Sequence, residues 1–423
     1  MWIQPHKFRS ALNHWGIFGL VFLIILFIIC LVIYPQQSYE ASVEGLKLWW
    51  EIVLPASLPF FIGSQLLIGL GAVHFLSVIL SPIMRPLFNV PGAGAFALAM
   101  GISSGNPLGG VVTAELRKKN LCSKTEGERL LSFTNNANLL FMSGAVAVGI
   151  FKQPELGIIF AIIHYSATLG TAFIYKFYKF RNHGSTNSET NEEGYLLKAV
   201  KSLQKARKDD GRAFGKLLGD AVNKSLSTLL MIGGFIVLFS VLIRILSISG
   251  LMNILAELLS PLLTTLGFDK ELAKPIISSF FEITNGIKLI SLSTAPLEQQ
   301  ILVTCAVISW SGLSIQSQVA SVIADTDLSI IPYLFSRIIH AFLSFLFSYI
   351  IIKYTNLLNH LKSVSPVFAE GAKSIITSNW LSNFWFGFNQ LTVILVFLFL
   401  LAVLSASIIT CKNLFLNIKK SNR

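Results

Sequence analysis

Runs of about 20 apolar residues, the length a helix needs to cross a bilayer, recur near positions 15–34, 49–72, 130–150, 156–177, 226–248, 300–323, 331–352 and 386–411. A soluble fold could not hide so much apolar surface. Charged residues make up only 13% of the chain, against about 25% in ordinary globular proteins. The pattern predicts an all-α polytopic membrane protein with about eight transmembrane helices. The net charge of +12 is explained by lysines and arginines gathered in particular loops, as the positive-inside rule requires. No nucleic-acid-binding module is present, so nucleic acid is not an expected partner. Cys30, Cys122, Cys305 and Cys411 have neither zinc nor redox spacing, and neither a metal site nor a cofactor is expected. The apolar run from Ile17 to Tyr34 is long for a signal peptide and has no clean cleavage pattern after it, so it reads as an uncleaved first span.

Two further apolar segments, 91–115 and 272–296, are interrupted by polar residues near their middles. The first contains "SSGNPLGG", Ser103 to Gly110. Glycine and proline break helices, and irregular backbone at membrane depth survives only inside protein or beside a wet cavity. Loop charge places this segment. Lys7 and Arg9 hold the N-terminus inside, and the loop with Arg117, Lys118, Lys119, Lys124 and Arg129 is also inside. Segment 91–115 therefore enters and returns on one side, as a re-entrant helical hairpin with "SSGNPLGG" at its tip. The stretch with Lys198, Lys201, Lys205, Arg207, Lys208 and Arg212 is inside again. It reads either as a solvated connector or as a short basic helix on the anionic inner leaflet. The same reasoning puts the acidic Asp325–Ser329 loop inside, against its charge. The tail "KNLFLNIKK" is inside too, so both termini are expected to be cytosolic.

The tripeptide "LSP" occurs at Leu80–Pro82 and Leu259–Pro261. Carried forward without gaps, that offset places Asn106 on Asn285 and "SFTNNANLLF" on "SGLSIQSQVA". The order is span, amphipathic piece, broken hairpin, polar-centred span, plain span, and it occurs twice. The copies open on opposite sides, which makes an inverted repeat, an architecture common in secondary transporters. The domains are then an anchor helix in 1–45, a first repeat in 46–180, a basic cytosolic linker in 181–224, a second, inverted repeat in 225–353, and an outer loop, last span and basic tail in 354–423.

"SGNPLGG", "SFTNNANLLFMSGAVAVGIF", "FFEITNGIKLI" and "SGLSIQSQVASVIADTDLSIIPYLFSRIIHA" together resemble the YlbJ-type (SpoVV) sporulation integral membrane proteins. That family belongs to the group with the nucleoside recognition Gate domain, which itself resembles the core of concentrative nucleoside transporters. The resemblance spans about residues 46–353. It implies a transporter of a small polar aromatic or carboxylate solute, dipicolinic acid, moved from the mother cell across the outer forespore membrane. A nucleoside or another small solute stays open as the substrate, as do a proton or sodium as coupling ion and a homo-oligomeric state.

Four polar sets are expected to line the path. The first tip supplies Ser103, Ser104 and Asn106, and the 130–150 span supplies Thr134, Asn135, Asn136 and Asn138. The second tip supplies Glu282, Thr284 and Asn285, and the 300–323 span supplies Ser311, Ser314, Gln316 and Gln318. Amides and hydroxyls donate and accept without a net charge to desolvate; gluing helices together is their plainer use. Glu282 is the one acid at the centre of an expected membrane segment, a functional position by default, with Lys288 as a structural partner or as counter-charge to an anion. Arg337, expected near the inner end of its span, either faces an anion or sits among lipid headgroups. His164 reads as a packed histidine. Two other classes are weighed. "SWSGLS" with His340 faintly resembles an intramembrane serine protease but has Ser309 at the motif's first position. A non-transporting scaffold would need neither the broken hairpins nor Glu282.

Overall fold

The computed structural model describes residues 14–139, 141–179 and 195–355. The expected span at 386–411, the basic tail, Cys411, the first basic residues and the start of the linker lie outside the described residues. Within them the chain is all-helical. The first half runs α1 (His14–Ile33), α2 (Pro35–Leu48), α3 (Leu54–Gly69), α4 (Ala72–Phe88), α5 (Gly94–Ser104), α6 (Leu108–Lys118), α7 (Lys124–Thr134), a wide π-type helix Phe141–Ile150, and α8 (Leu156–Tyr175). After α9 (Tyr195–Asp210), the second half runs α10 (Phe214–Ile248), α11 (Leu251–Thr265), α12 (Ala273–Phe281), α13 (Ile283–Leu292), α14 (Leu297–Trp310), α15 (Gly312–Ile323) and α16 (Ile330–Thr355).

Among the described residues four stretches are long and apolar enough to cross a membrane: Leu156–Tyr175, Phe214–Ile248, Leu297–Ile323 and Ile330–Lys353. Two bent pairs raise the number to six. They are α1 with α2, bent by 103° where Pro35 opens the new helix, and α3 with α4, bent by 85° at Gly71. The expected 130–150 span is not one helix. It stops at Thr134, runs non-helical through the asparagines and restarts at Phe141. Its asparagines hydrogen-bond to nearby backbone instead of leaving the ladder intact.

The two halves share an order of elements. Gly71 (φ +85) and Gly250 (φ +76) make the same left-handed turn that only glycine adopts without strain. Both are followed at once by an amphipathic helix, α4 or α11. The hairpins α5–α6 and α12–α13 come next. Then come the broken helices, α7 with the wide helix in one half and α14 with α15 in the other, and then the long helices α8 and α16. The ungapped alignment holds as far as the starts of α5 and α12 and then slips. The first hairpin spends Gly105, Asn106 and Pro107 on its break and the second only Glu282, after a shorter α12. Break for break, Asn106 corresponds to Glu282 rather than Asn285, and Asn135 to Ser311.

Equivalent elements lie antiparallel. The α2–α3 stretch runs against α10: Arg244 pairs with Glu44 at 3.0 Å, Trp49 Nε1 donates to the Leu229 carbonyl at 2.9 Å, and Gly69 lies on Leu217. Helix α8 runs against α16 from Tyr175, whose hydroxyl donates to the Pro332 carbonyl at 2.5 Å, back to His164 beside His340. Along most of its length α1 packs on little of the described protein, with Phe18, Phe22 and Val32 well exposed, as a lipid-facing helix should be. Helix α9 docks on α4 through the buried Ala199 and the Gly71 turn, so the second part of the linker is a packed helix.

The acidic loop that stands against the charge rule is neutralised. Arg117 grips Asp327 with two hydrogen bonds, at 2.8 and 3.1 Å, and Lys118 reaches Asp325 at 3.4 Å. The Ser329 amide donates to Glu128 at 3.3 Å. The basic 117–129 loop and the acidic 325–329 loop therefore sit at the same end of the molecule. The guanidinium of Arg117 holds the Asp327 carboxyl below the usual carboxylate range.

Candidate functional site

Each hairpin tip is seated in the break of the helix that follows it. In the first, α5 ends at Ser104, Gly105 turns at φ +86, and α6 starts at Leu108. Gly101 and Gly109, one on each arm, press against the carbonyl of Thr134 so closely that a Cβ at either would overlap it. Asn138 then ties tip to break. Its Nδ2 donates to the Ser104 carbonyl at 2.8 Å, and its Oδ1 accepts from the Phe141 amide at 2.7 Å, capping the wide helix. Asn136 is spent on the Phe133 carbonyl and the Thr168 hydroxyl, and Thr134 meets Thr113 at 3.2 Å. Three buried oxygens here have no partner among the described residues: Ser104 Oγ, Asn106 Oδ1 and Asn135 Oδ1. Ser103 is exposed.

In the second hairpin Glu282 is itself the break. Its carboxylate oxygens accept from the amides of Thr284 and Asn285, both at 2.8 Å, capping α13. Among the described residues no ion pair joins it to Lys288, which is exposed; the structural pair entertained from sequence is absent, and the Glu282 carboxyl oxygens accept from the first amides of α13 instead. The arms touch where Gly286 lies on Ser279. Opposite the tip, Gly312 approaches the Phe281 carbonyl, and Trp310 stacks on Phe280 at 5.3 Å while donating to the Phe280 carbonyl at 3.1 Å. Ser311 takes φ +70 to turn α14 into α15, a conformation that costs a non-glycine residue about 1–2 kcal/mol. Gln316 donates to the Trp310 carbonyl at 3.0 Å and leaves Oε1 bare; Gln318 reaches Ser314 at 3.5 Å. Thr284 is half-buried and Asn285 exposed.

The halves also cross. Helix α6 lies along α15, with Gly110 against Val319, and its counterpart α13 lies along Phe141–Ile150. Each hairpin thus touches its own break and the far arm of the other. An apolar cavity of about 540 Å³ between α11, α12, α14 and α16 meets this assembly at Ser279, Phe280 and Trp310 and offers a polar ligand almost nothing.

Two residues sit where sequence reasoning did not put them. Arg337 faces neither an aqueous entry nor headgroups. It is fully buried and donates to the carbonyls of Ser132 and Asn135, the latter at 3.0 Å, with its guanidinium 5.1 Å from the Tyr333 ring. It caps the C-terminal end of α7, which a cation suits. His164 is not merely packed. Its Nδ1 lies 2.9 Å from Ser309 Oγ, its Nε2 accepts from the Ala137 amide at 3.2 Å, and its ring lies 4.7 Å from that of His340. A signal was available. His164-x3-Thr168 and His340-x3-Ser344 are one pattern 176 residues apart, the spacing that relates the breaks.

A family model described as Gate, nucleoside recognition, matches residues 50–174 and 229–350, more than half of the chain and almost all of both element arrays. The chain belongs to the Gate family. Its similarity to the sporulation integral membrane protein YlbJ of Bacillus subtilis (strain 168) is 45% identity over 308 residues, covering 72% of this chain and 75% of that protein. A solved structure of CNTnw, a double variant in an outward-facing state, is similar at 14% identity and a TM-score of 0.36, over 79% of this chain and 87% of that one. The two Gate blocks break off where α9 is inserted. Both hairpins, both helix breaks and both histidines fall inside them.

Proposed function

We propose that this Gate-family protein is a secondary transporter that moves dipicolinic acid from the mother cell across the outer forespore membrane, through a path lined by the two hairpin tips and the two helix breaks. The observation that carries the transport reading is the seating of each tip in a break, with bare buried oxygens on Ser104, Asn106, Asn135 and Gln316. Such backbone is tolerated at membrane depth where it lines a site. The antiparallel course of α2–α3 and α10, and of α8 and α16, supports an inverted repeat with two re-entrant hairpins. Glu282 takes part in coupling to a proton or sodium. The choice of dipicolinate rests on the sporulation relative, and the surrounding amide and hydroxyl groups suit a flat aromatic ring bearing two carboxylates.

Deleting the gene is expected to leave mother cells that make dipicolinate and spores that lack it. Wild-type protein restores the spores. Glu282→Gln retains only one carboxylate-like acceptor for the two amides; dipicolinate uptake into proteoliposomes by this variant is expected to lose its dependence on an imposed proton or sodium gradient. Mutant spores with normal dipicolinate would turn the reading to nucleosides, which the family's description favours, and undiminished gradient dependence would remove Glu282 from coupling.

Orientation is tested separately. A cysteine at Lys118 is expected to resist an impermeant thiol reagent in intact cells, and one at Glu298, exposed in the first turn of α14, is expected to react. Burial lifts the pKa of the native Cys122 thiol to about 12, so it stays silent at neutral pH. Labelling of both positions from the same side would contradict the inverted repeat and the cytosolic termini.

A further inference from the structure

Two buried histidines meet where α8 crosses α16, and each bonds into the opposite half of the molecule. His164, on α8, reaches Ser309 in the last turn of α14, just before the break at Ser311; Ser309 continues to Ser344 at 2.6 Å. His340, on α16, has Nε2 at 3.2 Å from both the Thr168 hydroxyl and the His164 carbonyl. Thr168 passes the connection to Asn136 in the first break at 3.0 Å, and His164 Nε2 takes the Ala137 amide of that same break. His164 is 2% exposed and His340 0%.

The partners fix the tautomers. The Ala137 amide can only donate, so His164 Nε2 is bare and its proton sits on Nδ1, directed at Ser309. A carbonyl can only accept, so His340 carries its proton on Nε2, directed at the His164 carbonyl and Thr168. The two rings therefore hold opposite tautomers; the His164 ring bridges the asparagine break of α7 to the end of α14, and His340 ties α16 to the His164 backbone and, through Thr168, to Asn136 in that break.

We propose that His164 and His340 are positioning residues: a cross-brace that holds the two helix breaks, and with them the two hairpin tips, at the separation needed to grip one ligand. This rests on the transport reading above, and it explains why the same histidine–hydroxyl pattern stands at equivalent places in both halves. A brace acts by geometry, so a side chain that reproduces its hydrogen bonds should replace it without titrating. Gln can place an N–H donor where His340 Nε2 stands. Asn at 164 can supply the donor to Ser309, but nothing for the Ala137 amide.

The test uses the full-length protein in proteoliposomes, with dipicolinate uptake as one readout. The second readout is the distance distribution between spin labels on Ser103→Cys and Asn285→Cys, in a background without other cysteines. His340→Ala is expected to raise the half-saturating dipicolinate concentration roughly tenfold, in line with one lost buried hydrogen-bond set, and to broaden the tip-to-tip distribution. His340→Gln is expected to restore both, and His164→Asn to fall between. A narrow, wild-type distribution in His340→Ala would overturn the proposal. So would a His340→Gln variant that reaches the membrane with a normal distribution yet fails to transport, because the ring's titration would then be what matters. If the wild type itself does not move dipicolinate, the substrate reading fails while the label distances still decide the brace.

Discussion

Arg337→Leu is expected to leave little folded protein in the membrane. The guanidinium is buried among α7, α8 and α16 and supplies the donors for two carbonyls, those of Ser132 and Asn135, where α7 stops and nothing continues its ladder. A leucine fills part of the volume and leaves both acceptors dry. Each orphaned buried acceptor costs about 1–3 kcal/mol, and the Tyr333 ring loses the cation lying over it, together a large part of the roughly 5–15 kcal/mol that separates folded from unfolded protein. Arg337→Lys should recover part of the loss, because a single ammonium cannot reproduce the planar fork. The measurement is the thermal midpoint and monodispersity of detergent-purified protein. A wild-type midpoint for the leucine variant would show that the carbonyls have other donors. Normal abundance with abolished transport for the lysine variant would restore the reading of Arg337 as anion-facing.

The second large effect is expected at Gly101 and Gly109. A methyl group on either meets the Thr134 carbonyl, with the Asn135 backbone close behind Gly109. Those are main-chain atoms pinned by Arg337 and by the break, so they cannot retreat as a flexible side chain would. Overpacking of this kind costs about 1–3 kcal/mol and occasionally more. The easiest relief is for the first tip to lift out of its seat, pulling Ser104 from Asn138. Gly101→Ala and Gly109→Ala should therefore abolish dipicolinate uptake as well as lower the midpoint. Gly234→Ala on α10 has open space around it and should do neither. Full uptake by either tip variant would refute the seating of the hairpin.

Much of this arrangement was legible before any coordinates. The polar residues of "SSGNPLGG" and "FFEITNG" marked both places where a helix breaks within an apolar run. The two "LSP" pieces fall in α4 and α11, which hold the same place in the order of elements in each half. What escaped was set by distant contacts. Nothing local says that α7 ends at Thr134 rather than running on into "NNANLLF"; the stop depends on Asn138 finding Ser104 and on Arg337 arriving from 202 residues away. Ser311 holds a left-handed turn that a serine would not choose alone. The slip in register arose because α12 is shorter than α5 and because one tip turns on three residues and the other on one, which no ungapped comparison detects. Lys288 looked like a partner for Glu282 by spacing, but two backbone amides lie nearer to the carboxylate.

The ion pairs between the 117–129 and 325–329 loops bear on how the chain is threaded. Asp327 follows Arg117 by 210 residues, so at about 5–20 residues per second of synthesis the acid arrives roughly 10–40 s after the base. During that interval the basic loop stands unopposed and can act on the insertion machinery at its full positive charge, fixing the direction of the first half. When the acidic loop of the second half is made, a basic surface is already in place to pair with it. The halves expressed as separate chains are therefore expected to differ: the second half made alone keeps the basic stretch before α10, but its acidic 325–329 loop lacks the basic partners that neutralise it.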